Sequence, residues 1–174
     1  MAKEQISQRT IQYEAYRNGS EYLGTTTVDL PEITLLAEDV TGGGINGTVN
    51  TPTMAQFDAM STTLNFRTHE ESYYSLFAQE IHAIDLRAAI QIQNRLTGQM
   101  DVVPYKVSFR GNPKTMSLGS LEPGATSDNS VEFEVTYIKI TLNGAVKVEI
   151  DKYNSVCVIN GVDYYAKIRQ ALAN

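Results

Sequence analysis

Hydrophobic and polar positions alternate with a period of two along much of the chain, most clearly in NSVEFEVTYIKITLNGAVKVEIDKYN, residues 129–154. Such alternation sends successive side chains to opposite faces of a strand. Asn143-Gly144 lies near the middle, and both residue types accept the positive φ that a two-residue type I′ turn requires. The turn pairs Leu142 with Ala145. It then predicts Thr141 opposite Val146, Lys139 opposite Val148 and Tyr137 opposite Ile150. Val131, Phe133 and Val135 continue that face, which reads as core. The other face carries Glu132, Glu134, Thr136, Lys147, Glu149 and Asp151, with an apolar patch of Ile138, Ile140 and Leu142 near the turn.

The same rule predicts strands elsewhere. Residues 83–94 alternate Ile84, Leu86, Ala88, Ile90 and Ile92 against Asp85, Arg87, Gln91 and Gln93. Residues 102–111 alternate Val103, Tyr105, Val107 and Phe109 against Lys106, Ser108 and Arg110, and residues 61–68 offer Leu64 and Phe66. Residues 11–30 read as a strand, a turn at Asn18-Gly19 and a return strand. Two further Asn-Gly turns fall at Asn46-Gly47 and Asn160-Gly161.

Helical spacing replaces alternation twice. Residues 69–81 put Tyr73, Leu76, Phe77 and Ile81 on one stripe, with Glu70 and Glu71 suited to a helix N-terminus. Residues 162–173 put Tyr164, Ile168 and Leu172 on another, with Asp163 as N-cap and a last turn fraying into Asn174. Residues 37–54 and 111–129 show no period and read as long loops, which in a compact domain bind something or move. These elements predict a mainly β chain of about seven or eight strands with two short helices. The expected form is a β-sandwich or small barrel, one domain over residues 1–174 with a long loop at about 37–53.

Composition then limits the partners. The 174 residues, 42% of them hydrophobic, can close one core. The net charge of −6 does not draw phosphate backbones at long range. The N-terminus lacks the apolar stretch of a secretory signal, and no apolar run reaches the roughly 20 residues of a membrane span. The expectation is synthesis in a cytoplasm without membrane anchoring. Cys157 stands alone, so no internal disulfide forms. It reads as a small buried hydrophobe on a strand.

Catalytic chemistry finds little to work with. His69 and His82 bracket the middle helix too far apart to share a turn, and with Cys157 they lack zinc-ligand spacing. Gly42-Gly43-Gly44-Ile45-Asn46-Gly47-Thr48 looks like a phosphate loop, but no Lys-[Ser/Thr] ending or helix follows it. Glu132 and Glu134 share a strand face, which reads as a solvated face before an acid/base pair. No serine sits in a Gly-x-Ser-x-Gly elbow, and no basic stripe is interleaved with aromatics. The expectation is a protein without catalytic residues, cofactor or metal.

An ordered set of segments resembles the major tail tube proteins of contractile-tailed bacteriophages and of related phage-tail-like bacteriocins. Residues 30–50, LPEITLLAEDVTGGGINGTVN, resemble that family's Leu-Pro strand end and the glycine-rich loop after it. Residues 133–173 resemble its C-terminal half: Tyr137, Gly144, Glu149, Ile150 and Asp151 match the hairpin. Asn160, Gly161, Val162 and Asp163 match the turn, and Arg169 the helix. The middle of the chain, residues 69–100, matches only in type.

The resemblance implies a structural subunit assembling as stacked hexameric rings around a hollow conduit for genome delivery, inside a contractile sheath. Tape-measure and baseplate proteins are the further implied partners, DNA passes without being bound, and the protein ends in a virion tail. If six subunits each lend four strands to one barrel, a spacing of about 4.8 Å and a tilt near 40° leave a bore of about 38 Å. The alternatives are the tube of a headless contractile bacteriocin, a type VI-like secretion tube and a stand-alone binding domain. Three sets of residues are expected to carry assembly. Thr41, Gly42, Gly43, Gly44, Ile45, Asn46 and Gly47 contact the next ring. Ile138, Ile140 and Leu142 are covered by a neighbouring subunit or an overlying loop. Glu132, Glu134, Lys147, Glu149 and Asp151, formally −3, line an electronegative lumen.

Overall fold

The computed structural model of the chain describes residues 4–173. In chain order the strands are β1 (Gln5–Arg17), β2 (Glu21–Leu23), β3 (Thr25–Asp29), β4 (Leu35–Val40), β5 (Val49–Phe57) and β6 (Ser61–Phe66). After helix α1 (Glu71–Ser75) come β7 (His82–Asn94), β8 (Met100–Ser117), β9 (Asn129–Leu142), β10 (Ala145–Asp151), β11 (Val156–Ile159) and β12 (Val162–Asp163). Helix α2 (Ala166–Leu172) follows. The fold is mainly β, as the alternation predicts, with more strands than the seven or eight expected. The expected return strand after Asn18-Gly19 is split at Gly24 into β2 and β3, and the other additions are the two-residue β12 together with β4 and β5 from a segment read as loop.

One antiparallel sheet runs β12-β11-β10-β9-β8-β7-β1-β2. It branches at β9. The first half of β9 pairs with β6, which pairs with β3, while its second half pairs with β10. Because β2 and β3 are joined only through Gly24, the path β3-β6-β9-β8-β7-β1-β2 curls into a small barrel that is not closed. Its interior packs Leu64, Phe66, Ile84, Phe109, Phe133 and Ile150, each at most 1% exposed. Burying a side chain of this size contributes about 1.5–3 kcal/mol. Tyr73 and Leu76 of the α1 turn close one end, and the Tyr73 hydroxyl donates to the Ser117 carbonyl at 2.8 Å.

Local chemistry explains the departures. Alternation at 129–142 is broken by a bulge: Arg110 faces Tyr137 but Gly111 faces Val135, leaving Thr136 extra. Core-facing positions therefore pass from Val131, Phe133 and Val135 to Ile138. A second bulge at Lys147 shifts the partner strand equally, so Ile138 faces Ile150 and Lys139 faces Glu149. The expected pairs Tyr137–Ile150 and Lys139–Val148 are thus one residue out, while Leu142–Ala145 and Thr141–Val146 hold. The loop expected at 111–129 is strand as far as Ser117, because β9 pairs with it across another bulge at Lys114.

Both helices are shorter than expected. α1 keeps Tyr73 and Leu76 buried but leaves Phe77 and Ile81 exposed. At α2, Val162 and Asp163 pair with β11, so Tyr165 and not Asp163 is the N-cap residue. The Asp163 carboxylate instead accepts the Tyr165 amide at 2.9 Å and pairs with Arg169. The expected fray at Asn174 lies outside the described residues.

Candidate assembly surfaces

The segment read as an irregular loop is a separate two-stranded arm. Ala37 faces Pro52, Glu38 faces Thr51, Asp39 faces Asn50 and Val40 faces Val49, with the tip at 41–48. Asn50 donates to the Asp39 carboxylate at 2.7 Å. Gly44 at the tip has φ +88, a conformation that glycine adopts without strain. Near the base, Ala55 also has positive φ (+55) where the ladder shifts between Leu35 and Ala37. All of residues 32–54 are exposed on the isolated chain, including Leu36, Val40, Ile45, Val49 and Met54. An isolated hairpin is at best marginal in water. A long arm with this much apolar surface therefore gains stability when another surface covers it. Thr41 to Gly47, expected to form an assembly loop, make up most of its tip.

The long strands leave open edges. β2 covers only Ala15–Arg17 of β1, so the outer edge of β1 from Gln5 to Glu14 is unpaired by the other described strands. Ile6 and Ile11 on that strand are about half exposed. Beyond the barrel interior, the core-side face of the sheet continues as an apolar groove of about 370 Å³. Ile90, Ile92, Val103, Tyr105 and Leu142 line it.

The apolar patch expected at a subunit boundary is placed differently. Ile138 is 1% exposed inside this chain's own core, and Ile140 packs partly buried against that core. Leu142 is half-buried at the groove. The bulge at Thr136 turns all three toward the interior side of the sheet, so Ile138 needs no neighbour to cover it.

The opposite face of the sheet is polar, and its contacts cross five strands. The Asp85 carboxylate accepts the Ser108 hydroxyl at 2.6 Å, and the Lys106 ammonium lies 3.0 Å away. Arg87 reaches Asp85 at 3.9 Å, donates to the Gly19 carbonyl at 3.1 Å and lies 4.5 Å over the Tyr16 ring. Arg110 lies 4.3 Å over the Tyr137 ring. The Tyr137 hydroxyl donates to Glu149 at 2.9 Å, and Lys139 pairs with Glu149 at 3.5 Å. Further along the sheet Glu132 pairs with Lys114 at 3.3 Å and Glu134 with Lys152 at 3.4 Å. The bonds from Lys114 and the Ser61 hydroxyl hold the Glu132 carboxyl below its ordinary range.

These positions change the charge expected of the surface. Lys147, in its bulge, lines the apolar groove and not this face. Asp151 is 9% exposed and accepts the Tyr153 and Asn154 amides, so it closes a turn before it faces solvent. Around the ladder, Glu14, Asp85, Glu132, Glu134, Glu149 and Asp151 meet Arg87, Lys106, Arg110, Lys114, Lys139 and Lys152. The formal sum expected from five residues, −3, gives way to six anions against six cations. Alternation alone could not show this balance, because five of the cations come from β7, β8 and the 152–155 turn, and Lys139 of β9 reaches this face only through the bulge at Thr136.

The residues weighed for chemistry lie apart in different settings. His69 stacks on Tyr74, whose hydroxyl is 3.1 Å from the ring nitrogen Nδ1. His82 is buried against Phe133, with Nε2 3.1 Å from the Ala78 carbonyl. Cys157 is buried on β11 opposite Ile150, and burial raises its thiol pKa. Among the described residues, no three His, Cys, Asp or Glu side chains group as metal ligands. No helix among them is long and apolar enough to cross a membrane.

Known proteins resemble the chain in sequence and in fold. The tail tube protein of Escherichia phage P2 is 30% identical over 151 residues, covering 85% of this chain and 87% of that protein. Two solved structures share the fold at lower identity. A chain of the sheath-tube complex of PVC, an extracellular contractile injection system, aligns with a TM-score of 0.52 at 13% identity, over 75% of this chain and 88% of its own. A chain of the tube-terminating cap of the anti-feeding prophage aligns with a TM-score of 0.53 at 17% identity, over 76% and 89%. The family model described as phage tail tube protein FII matches residues 8–172, nearly the whole sequence, and the chain belongs to that family of tail tube proteins.

Proposed function

We propose that the chain forms rings of six, that the rings stack into a hollow tube, and that the β4–β5 arm bridges one ring to the next. The arm is the observation that carries this reading: it projects from the barrel with its apolar side chains uncovered. The open edge of β1 supports ring closure, since an unpaired edge on a long strand is a template for a strand of the next subunit. Four long strands, β1, β7, β8 and β9, then wall the bore, and their polar face lines it.

Sheath, baseplate and tape-measure proteins are the proposed partners outside and inside the tube. The tube is built in a bacterial host cytoplasm, ends in a virion tail and passes DNA without chemistry of its own. The P2 relative supports the phage reading. The likeness to injection-system chains leaves the same tube compatible with a headless particle.

Electron microscopy of purified protein tests the proposal. The full chain is expected to form tubes with a bore of about 38 Å, as 24 strands at barrel spacing require. A chain lacking Thr41–Thr48 is expected to fold, by circular dichroism, without forming tubes. Normal tubes from that deletion would overturn the role of the arm, and a full chain that stays monomeric would overturn the tube.

A further inference from the structure

We propose that Asp85 keeps the polar sheet face from holding nucleic acid, by engaging two cations that would otherwise meet phosphates. The transit role given to it here rests on the reading of that face as the lumen wall.

Lys106 and Arg87 are direct partners across β7 and β8. Like charges opposite one another on a sheet repel. Asp85 lies on the same face, two residues before Arg87, and relieves that repulsion. Its Oδ2 is 3.0 Å from Lys106 and 3.9 Å from Arg87, while its Oδ1 accepts the Ser108 hydroxyl at 2.6 Å. Burial raises the Asp85 carboxyl, but the Ser108 bond and the two cations outweigh it and leave it below the usual range. The carboxylate is therefore ionised at neutral pH.

An aromatic ring restrains one of these cations from a second side: Arg87 lies 4.5 Å over Tyr16, as the neighbouring Arg110 lies 4.3 Å over Tyr137. A face built this way carries cations without offering them. A phosphate meeting Lys106 or Arg87 competes with the Asp85 carboxylate for it, whereas a plain acidic wall would merely repel. Of the carboxylates in the ladder, Asp85 alone has two cations within 4 Å among the described residues.

Asp85→Asn tests the idea. The amide keeps the shape and can still accept the Ser108 hydroxyl. Glu122→Gln, in the exposed 118–126 segment, makes the same change in net charge away from the sheet and serves as control. Binding of a fluorescent 20-base-pair duplex is measured on the soluble chain before assembly, across salt concentrations. Asp85→Asn is expected to bind roughly tenfold more tightly than wild type at low salt, with a log–log salt slope steeper by about 1–2 for one or two new phosphate contacts. Adding Lys106→Gln should remove most of the gain. Binding by Asp85→Asn no tighter than by Glu122→Gln, with both folded by circular dichroism, overturns the proposal. Tubes of the variant are then loaded with the duplex and treated with nuclease. Protected DNA supports the lumen placement. Complete digestion despite binding overturns the transit role and the lumen reading, while leaving the soluble-chain result intact.

Discussion

Ile138→Ala separates a core position from a subunit contact. Ile138 is 1% exposed and lies between Phe109 on β8 and Ile150 on β10, its register partners on either side. The substitution removes three carbon groups, worth about 2.4 kcal/mol at roughly 0.8 kcal/mol each. Phe109 and Ile150 are themselves paired on both sides, to Ile84 and Ile138 and to Ile138 and Cys157, so the site has little freedom to collapse. The cavity left behind brings the expected cost to about 3–4 kcal/mol. In a domain of this length each kcal/mol lowers Tm by about 2–4 °C, so a fall of about 6–16 °C is expected. The assay is urea and thermal unfolding of the unassembled chain, followed by circular dichroism, since assembly would add its own concentration-dependent stability. The fraction still folded at low temperature is expected to assemble as wild type does. A loss below about 1 kcal/mol combined with failed assembly would refute the reasoning and return Ile138 to an interface.

Two more expectations concern single side chains. Burial raises the Asp151 carboxyl, but its bonds to Asn154 and the Tyr153 amide outweigh that and hold it below its ordinary 3.8. A depressed carboxyl contributes stability that is present above the unfolded-state value and lost as pH falls through the folded one. Wild type should therefore lose stability more steeply below about pH 4 than Asp151→Asn, as unfolding midpoints measured from pH 6 to pH 2 would show. Cys157 is 2% exposed, and burial raises its thiol, so the native chain should alkylate far more slowly than the urea-unfolded one. Cys157→Val should assemble normally, and rapid labelling of the native thiol would contradict this placement.

The strand-and-turn grammar was legible where local chemistry decides it. Asn143-Gly144 and Asn160-Gly161 turn as two-residue hairpins, with Asn φ of 50° and 48°, because few other pairs accept positive φ twice. The long β7 followed its alternation closely, since both its neighbours pair along nearly its whole length. The arm was not legible as strand. Residues 35–54 of it bury nothing within the chain, so no apolar period marks them, and Gly, Thr and Asn dominate the stretch. Its position was nonetheless visible as a long segment without a core pattern. The helices were overextended because helical spacing near α1 continues through Phe77 and Ile81, where the chain has already turned away from the core.

The misplaced site residues share one physical origin. A bulge inserts one residue into one strand, and because side chains alternate with a period of two, every later residue changes face. Thr136 does this to β9 and Lys147 to β10. Neither residue announces a bulge, since a bulge is chosen by the partner strand: Gly111, opposite Val135, brings its α-carbon so close that an added Cβ would lie 2.5 Å from the Glu134 carbonyl oxygen. That close approach lets β8 bend around β9, which turns a flat sheet into the wall of a barrel. The bend sends Ile138 inward and aligns Tyr137, Lys139 and Glu149 with Arg110 on the polar face. The curvature that shapes the barrel therefore also assembles the charge-balanced ladder. Deleting Thr136 would leave Val135 and Ile138 on one face of a straighter β9, so the ion pairs should persist while the bend is lost, whereas pulling Thr136 into a regular ladder would turn Ile138, Ile140 and Leu142 to the polar face.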